Sequence, residues 1–189
     1  MKNIAIFASG KGSNADNICR YFSGHPIIKI RLMVSDRKEA GVFNVAKKHV
    51  VEALYIDKEG WQHPQELLTE IQKRNIDFIV LAGFLKLVPP SIIHAFEKKI
   101  INIHPALLPK YGGKGMYGMH VHEAVHQAKE KETGISVHYV DEHYDEGDLI
   151  FQAKTPLYPD DSPQNIATLI HQLEMKHFPK VIEELLLSD

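Results

Sequence analysis

Two polar side chains near the end of an apolar segment suggest acyl-transfer chemistry. Asn102 and His104 alternate with isoleucines in the segment 99–105. Because side chains alternate along a strand, the two are predicted to share one face, about 7 Å apart along the chain. An amide N–H donor and an imidazolium placed there could stabilise the oxyanion that forms when an amine attacks an acyl carbon. A pair that only satisfies buried hydrogen bonds is the alternative interpretation.

A glycine-rich turn suggests a second function, the binding of an anion. Ser9-Gly10-Lys11-Gly12-Ser13-Asn14 follows an apolar run and opens a helical pattern. Glycines let the backbone approach a ligand closely, and Ser13 or Asn14 is expected to cap a helix whose free N–H groups favour an anion. The spacing fits neither the dinucleotide fingerprint nor the P-loop. The turn therefore predicts a phosphate site, and a ligand-free strand-to-helix turn is the alternative.

Alternating strands and helices must position these two segments. Short apolar runs predict strands at 4–8, 27–34, 53–56, 78–82 and 100–103. Helical patterns follow Ser13 and cover about 39–48 and 64–74. Most of the strands are apolar on both faces, which indicates a parallel sheet covered by helices on both faces, an α/β fold.

The C-terminal third departs from this alternation. Segments 135–141 and 149–154 are separated by an acidic loop and predict an antiparallel hairpin added to the sheet. Ser162-Pro163 announces a last helix, for which a kink near Pro179 is expected. The acidic run 141–148 lacks the order of an EF-hand and is interpreted as a solvated loop.

The composition is that of a single globular domain, expected to span 1–189. The chain is 44% hydrophobic and 24% charged, with a formal net charge of -2. These values favour neither a membrane span nor a nucleic-acid partner. No signal-peptide pattern occurs at the start, so a cytoplasmic location is expected. The single cysteine, Cys19, lies on an apolar helical stripe and is interpreted as a core residue.

A zinc-dependent hydrolase is an alternative function of a different class. His122, Glu123 and His126 match the His-Glu-x-x-His pattern, in which two histidines on one helical face bind zinc. The neighbouring stripe that includes Val121 and Val125 is the buried face in our interpretation, which predicts that both histidines point outward. No metal is expected on this interpretation.

Four segments in order resemble the phosphoribosylglycinamide formyltransferase family, the folate-dependent formyltransferases of purine synthesis. They are Ser9–Asn14, Leu81-Ala82-Gly83-Phe84, Ile101–Pro109 and Gly134–Asp141. The resemblance extends over essentially the whole chain, and Asn-x-His-Pro with the Gly-Ser-Asn turn is its most specific part. It implies a Rossmann-like three-layer formyltransferase fold. Within it, a half at about 1–100 would bind phosphate and a half at about 101–189 would hold folate and the catalytic residues.

The resemblance also implies a reaction and its catalytic residues. The formyl group of 10-formyltetrahydrofolate, a co-substrate, would pass to the amine of 5-phosphoribosylglycinamide. Asn102 and His104 would stabilise the tetrahedral intermediate, and Asp145 would support the charge on His104. A carboxylate at that distance is expected to raise the pKa of His104 and keep part of it cationic near neutrality.

Binding roles follow from the same resemblance. The substrate phosphate is assigned to Gly12, Ser13 and Asn14, and the glycinamide end to Glu174. The folate is assigned to Leu85, Lys86, Leu87 and Val88, together with Asn102. The expected partners are these small molecules, with the chain as a monomer or homodimer.

Some positions depart from the family pattern. Ala106 replaces a common serine, Lys11 replaces a frequent asparagine, and Glu146-Gly147-Asp148 stands where Gly-Gly-Pro is usual. The glycine-rich segment 111–120 is longer than usual and is predicted to be a mobile lid over the folate. A formyltetrahydrofolate hydrolase is the alternative within the superfamily, although it is expected to carry His-His where His104-Pro105 stands.

Overall fold

The computed structural model describes residues 1–188 and contains a seven-stranded sheet. The strands are β1 (Lys2–Phe7), β2 (Ile28–Ser35), β3 (Glu52–Tyr55), β4 (Phe78–Leu81), β5 (Ile100–His104), β6 (Glu132–Tyr139) and β7 (Leu149–Pro156). Their order is β3-β2-β1-β4-β5-β6-β7, with parallel pairing up to β5 and antiparallel pairing of β5 with β6 and β6 with β7. The mostly parallel sheet with a C-terminal hairpin is therefore confirmed.

Helices cover both faces of the sheet, as the alternating pattern predicts. They are α1 (Ser13–Tyr21), α2 (Val42–His49), α3 (Lys58–Gln62), α4 (Gln65–Lys73), α5 (Pro90–Ala95), α6 (Met119–Gln127) and α7 (Pro163–Leu187). Residues of α1, α2, α6 and α7 pack with Ile4 and Ile6 of β1, and residues of α4 and α5 pack with Ala5 and Phe7. Alternate side chains of one strand thus enter two separate cores, which gives three layers.

The strand order reverses at β1, and this reversal creates a crevice. From β1 the chain moves outward to β2 and β3, then returns to place β4 on the other side of β1. Ligands of open α/β sheets bind where such neighbouring strands end and their connections diverge. The two loops are tied together there, because the Ser9 amide donates to the Gly83 carbonyl at 3.0 Å and the Leu85 amide donates to Ser9 Oγ at 3.0 Å.

Two local details differ from the sequence-based predictions. Helices α3 and α5 were not predicted, since five and six residues are too few to show a helical stripe. The cap of α1 is Gly12, with φ 81° and no side-chain cap bond, so the prediction that Ser13 or Asn14 caps this helix is wrong.

The last helix begins as its sequence indicates. Ser162 is its N-cap and accepts a hydrogen bond from the Asn165 amide, and Pro163 is its first residue. The helix continues past the buried Pro179 to Leu187 as one element. Among residues 1–188, no helix combines the length and apolar character that crossing a bilayer requires.

Candidate active site

A cavity of about 560 Å³ lies beyond the carboxyl ends of β1, β4 and β5. Every site residue predicted from the sequence lines it: Gly12, Ser13, Asn14, Leu85, Lys86, Leu87, Val88, Asn102, His104, Asp145 and Glu174. Three exposed lysines, Lys11, Lys86 and Lys114, also lie on its wall. Residues far apart in sequence thus share one cleft, as a ligand site requires.

The turn between β1 and α1 forms one end of the cavity. Gly12 has a positive φ, and a Cβ added there would lie 2.9 Å from Val42 Cα, so both conformation and space require glycine. Asn14 is 8% exposed and its Nδ2 donates to Glu174 Oε2 at 3.0 Å, while its Oδ1 is buried without a partner. The N-terminus of α1 therefore opens into the cavity with free backbone donors suited to an anion.

His104 is buried, with acceptors near both ring nitrogens. It is 3% exposed, its Nε2 lies 2.7 Å from the Tyr111 carbonyl oxygen, and its Nδ1 lies 3.4 Å from Asp145 Oδ2. Because a carbonyl only accepts, Nε2 must carry a hydrogen and donate it. In the neutral ring, Nδ1 is then the unprotonated nitrogen, and it faces Asp145.

The net pKa of His104 differs from the sequence-based expectation. Burial lowers the pKa of His104, and this outweighs the upward effects of Asp145 and of the bond to the Tyr111 carbonyl. Asp145 does raise the pKa of His104, as predicted, but the prediction that this pKa is raised overall is wrong. His104 is therefore mostly neutral near pH 7 before ligands bind.

The amide of Asn102 is oriented by a residue that sequence reasoning missed. Asn102 Nδ2 lies 3.1 Å from His138 Nε2 and 3.4 Å from Asp145 Oδ1. His138 lies directly opposite Asn102 across β5 and β6, and its Nδ1 donates to the Tyr139 carbonyl at 2.8 Å, which leaves Nε2 to accept from the amide. The available signal was the alternation of the polar residues Ser136 and His138 with the apolar residues Ile135 and Val137 along this segment.

Asp145 reaches the site from the loop between β6 and β7. Its backbone is left-handed, with φ 59°, and its Oδ2 accepts from the Gly113 amide at 2.9 Å. Burial would raise the pKa of Asp145, but contacts with His138, His104 and the Gly113 amide lower it by more. Among these contacts, the hydrogen bond from the Gly113 amide does not depend on a histidine tautomer, and it favours the ionised carboxylate. Asp145 is thus an ionised acceptor at neutral pH.

The unusual Glu146-Gly147-Asp148 sequence keeps a glycine where the loop needs one. A Cβ at Gly147 would collide with the Tyr139 carbonyl oxygen. Glu146 and Asp148 are exposed, so their side chains extend away from this contact. The departure from the family pattern therefore leaves the return of the chain from Asp145 to β7 sterically possible.

The predicted folate segment, Leu85–Val88, forms another part of the cavity wall. Val88 is buried, Lys86 is exposed, and the Leu87 carbonyl accepts from Trp61 Nε1 at 3.0 Å. Across the cavity, residues 113–118 form part of the wall, and exposed Tyr117 and Tyr144 add apolar surface. This part of the cavity combines a fixed backbone edge with flat apolar groups, which suits a planar ring system.

The two histidines of the zinc-protease pattern lie in different surroundings. His122 is 6% exposed and lines the cavity, whereas His126 is exposed with its Nδ1 2.9 Å from the Asp161 carbonyl oxygen. The prediction that both point outward is wrong for His122. No group of three or more His, Cys, Asp or Glu side chains suited to a metal ion occurs among residues 1–188.

Comparisons with known proteins point to one family. A family model described as Formyl transferase matches residues 2–182. A Bacillus subtilis phosphoribosylglycinamide formyltransferase is 33% identical over 191 residues, covering 98% of this chain and 95% of the relative. A crystal structure of glycinamide ribonucleotide transformylase 1 from Geobacillus kaustophilus superposes with a TM-score of 0.89 and 35% identity, covering 98% of each chain.

Plant relatives are longer than this chain. The chloroplastic phosphoribosylglycinamide formyltransferase of Arabidopsis thaliana is 35% identical over 187 residues, covering 96% of this chain. This chain spans 64% of that relative and 61% of the corresponding Vigna unguiculata protein. The similarity therefore concerns the part of the plant proteins that corresponds to the fold described above.

Proposed function

Because the chain belongs to the formyl transferase family, we propose that it transfers the formyl group of 10-formyltetrahydrofolate to the amine of 5-phosphoribosylglycinamide in purine biosynthesis. The observation that carries this proposal is the meeting of Asn102, His104 and Asp145 in one cavity with the Gly12–Asn14 turn. Family membership alone gives the reaction class. The anion-binding turn at one end of the cavity supports a phosphorylated acceptor.

The two substrates would occupy different ends of the cavity. The phosphate would bind the backbone donors of Gly12, Ser13 and Asn14, and Glu174, fixed by Asn14, would contact the glycinamide end. The pterin would lie along Leu85–Val88, and Lys86 could meet the anionic tail of the folate. In this proposal the half at about 1–100 supplies the phosphate contacts, and the half at about 101–189 supplies the catalytic residues.

The proposed chemistry uses His104 as a proton carrier. The substrate amine attacks the formyl carbon, forming the new C–N bond, and loses a proton to the bare Nδ1 of His104. The imidazolium that results is stabilised by Asp145, 3.4 Å away. When the tetrahedral intermediate collapses, the bond from carbon to N10 breaks, and the same proton passes to N10. No proton is gained or lost overall.

Asn102 would stabilise the oxyanion with one amide hydrogen. His138 fixes the amide through the contact at 3.1 Å, whereas the contact with Asp145 is long, at 3.4 Å. A developing oxyanion could take the hydrogen that Asp145 holds weakly, because catalytic hydrogen bonds are often long before substrate binds and tighten in the transition state.

One assay separates this function from hydrolysis of the folate. Purified protein is given 10-formyltetrahydrofolate with and without 5-phosphoribosylglycinamide, and loss of the formyl group is followed. We expect turnover only with the ribonucleotide, and the His104→Ala variant serves as the control for contaminating activity. Equal turnover without the ribonucleotide would instead identify a hydrolase.

The zinc-hydrolase alternative gains no support from the site, because His122 and His126 have different surroundings. A stoichiometric zinc requirement in purified protein would reverse that judgement. A cytoplasmic location, a monomeric or homodimeric state and a lid role for 111–120 stay predictions.

A further inference from the structure

The ring of His104 is held by a backbone carbonyl that itself needs support. Tyr111 supplies the carbonyl oxygen 2.7 Å from His104 Nε2, and this contact selects the tautomer with hydrogen on Nε2. Tyr111 has φ 58°, a left-handed conformation that costs energy for a residue with a bulky side chain. The position of the carbonyl therefore depends on contacts that keep Tyr111 in this conformation.

Glu130 supplies such a contact from outside the cavity. Its Oε1 accepts from the Tyr111 hydroxyl at 2.9 Å and from Lys110 Nζ at 2.8 Å. It lies between α6 and β6, and it is not among the residues that line the cavity. One carboxylate oxygen thus holds two consecutive side chains at the start of the glycine-rich segment.

The same short segment also fixes the partner of His104. Two residues after Tyr111, the Gly113 amide donates to Asp145 Oδ2 at 2.9 Å. Residues 110–113 therefore contact Glu130 on the outer side, and both His104 and Asp145 on the inner side. A shift of this segment would alter both members of the pair at once.

We propose that Glu130 is a positioning residue that, through Tyr111, holds His104 in the tautomer with an unprotonated Nδ1. This inference rests on the proposed formyl transfer, in which Nδ1 accepts the proton of the attacking amine. If the carbonyl moves, the ring can place its hydrogen on Nδ1 and donate to Asp145 instead. That tautomer cannot take the proton at Nδ1, and its unprotonated nitrogen is Nε2 instead, so part of the enzyme becomes inactive while its binding surfaces stay intact.

The expected kinetic effect falls on turnover rather than on binding. Glu130→Ala and Tyr111→Phe each remove the same hydrogen bond, so each should lower kcat by about three- to tenfold, the range for one partly exposed bond. KM for both substrates should change less than about twofold, since neither side chain contacts ligand in this proposal. The double variant should be no slower than the worse single variant, because both act along one path.

Conservative and matched variants separate positioning from a general loss of structure. Glu130→Gln keeps an oxygen that can accept from the Tyr111 hydroxyl, and it should retain most of the activity. Glu132→Ala removes a nearby surface carboxylate with an equivalent lysine contact, Lys154 Nζ at 2.7 Å, and should leave kcat unchanged. A fall in kcat for Glu132→Ala equal to that for Glu130→Ala would overturn the proposal.

The deciding measurement is the tautomer itself, by NMR of protein with ¹⁵N-labelled histidine. The His104 signals are assigned from their loss in His104→Asn. We expect one tautomer in the unsubstituted protein and in Glu130→Gln, and a mixture in Glu130→Ala and Tyr111→Phe. An unchanged tautomer in Glu130→Ala and Tyr111→Phe would overturn the proposal, whatever happens to kcat. This readout needs no turnover, so it stays decisive even if formyl transfer itself is not found.

Discussion

The two ends of the cavity are built in different ways. The Gly10–Asn14 turn lies between β1 and α1, and its geometry follows from glycine and from the adjoining regular elements. The other wall includes residues 113–118 and 143–145, which belong to the irregular segments 110–118 and 141–148. In these segments Tyr111 and Asp145 have left-handed backbones, and their side chains make individual hydrogen bonds. In the proposed reaction, binding of the phosphate would therefore rely on local backbone structure, whereas proton transfer would rely on contacts between residues far apart in sequence.

The largest effect should come from removing His104, the proposed proton carrier at the end of β5, whose ring the irregular segments contact through Tyr111 and Asp145. His104→Ala should lower kcat by on the order of a hundredfold or more, because both the proton carrier and its charge in the intermediate are lost. Steady-state kinetics and a thermal unfolding curve are the measurements. A well-folded variant with near-normal kcat would show that His104 does not carry out the chemistry.

A substitution at Gly12 in the Gly10–Asn14 turn should mainly lower the stability of the folded protein. Gly12→Ala places a Cβ 2.9 Å from Val42 Cα at φ 81°, so the free energy of unfolding should fall by about 2–4 kcal/mol. Gly10→Ala is the matched control, since a Cβ there meets nothing within 4 Å. Urea unfolding without ligand compares the two. Equal stabilities would mean that the turn is more adaptable than its geometry indicates.

The affinity for the ribonucleotide should depend on Asn14, at the end of the Gly10–Asn14 turn. Asn14→Ala should raise KM for the ribonucleotide about tenfold, through loss of a bond to the charged Glu174, and leave KM for the folate unchanged. Asn17→Ala is the control, because Asn17 Nδ2 also bonds to α7, at the Met175 carbonyl, but lies outside the cavity lining. An effect restricted to folate KM would contradict the phosphate assignment.

The smallest expected effect concerns the buried imidazoles and pH. Burial lowers the pKa of both His104 and His122 below the ordinary 6.5. The unfolded chain then binds more protons below about pH 6.5, so stability falls as pH decreases toward the lowered pKa, by at most about 1.4 kcal/mol per pH unit for each histidine.

A variant without one imidazole tests this dependence. His122→Phe removes one titrating group, so its stability relative to the unsubstituted protein should increase as pH falls from 7.5 to 5.5. Urea unfolding at several pH values measures the difference. A change in the opposite direction would indicate a raised pKa for His122 in the folded state.

The same contrast explains what could be predicted from the sequence. Strand periodicity placed Asn102 and His104 on one face, and the turn after β1 was recognisable from adjacent residues. The net pKa of His104 depends on how completely other segments bury it, and the role of His138 depends on pairing with Asn102 across 36 positions. A local pattern can mark His138 as a polar strand position, but neither its pairing with Asn102 nor the burial of His104 is encoded in such a pattern.

Sequence periodicity also failed where a helix has two functions. The stripe with Val121 and Val125 was correctly assigned to the core. His122, beside this stripe, is also buried, but it lines the cavity. Hydrophobic periodicity distinguishes the buried face of a helix from its exposed face. It does not show which residues line a cleft.

The three exposed lysines on the cavity wall have a consequence for ionic strength. Lys11, Lys86 and Lys114 can attract anionic ligands through solvent, where salt screens charges over about 10 Å at 0.1 M. His104 and Asp145 interact at 3.4 Å, out of reach of most counterions. Added salt should therefore slow capture of both ligands while leaving the speed of the bound complex almost unaltered.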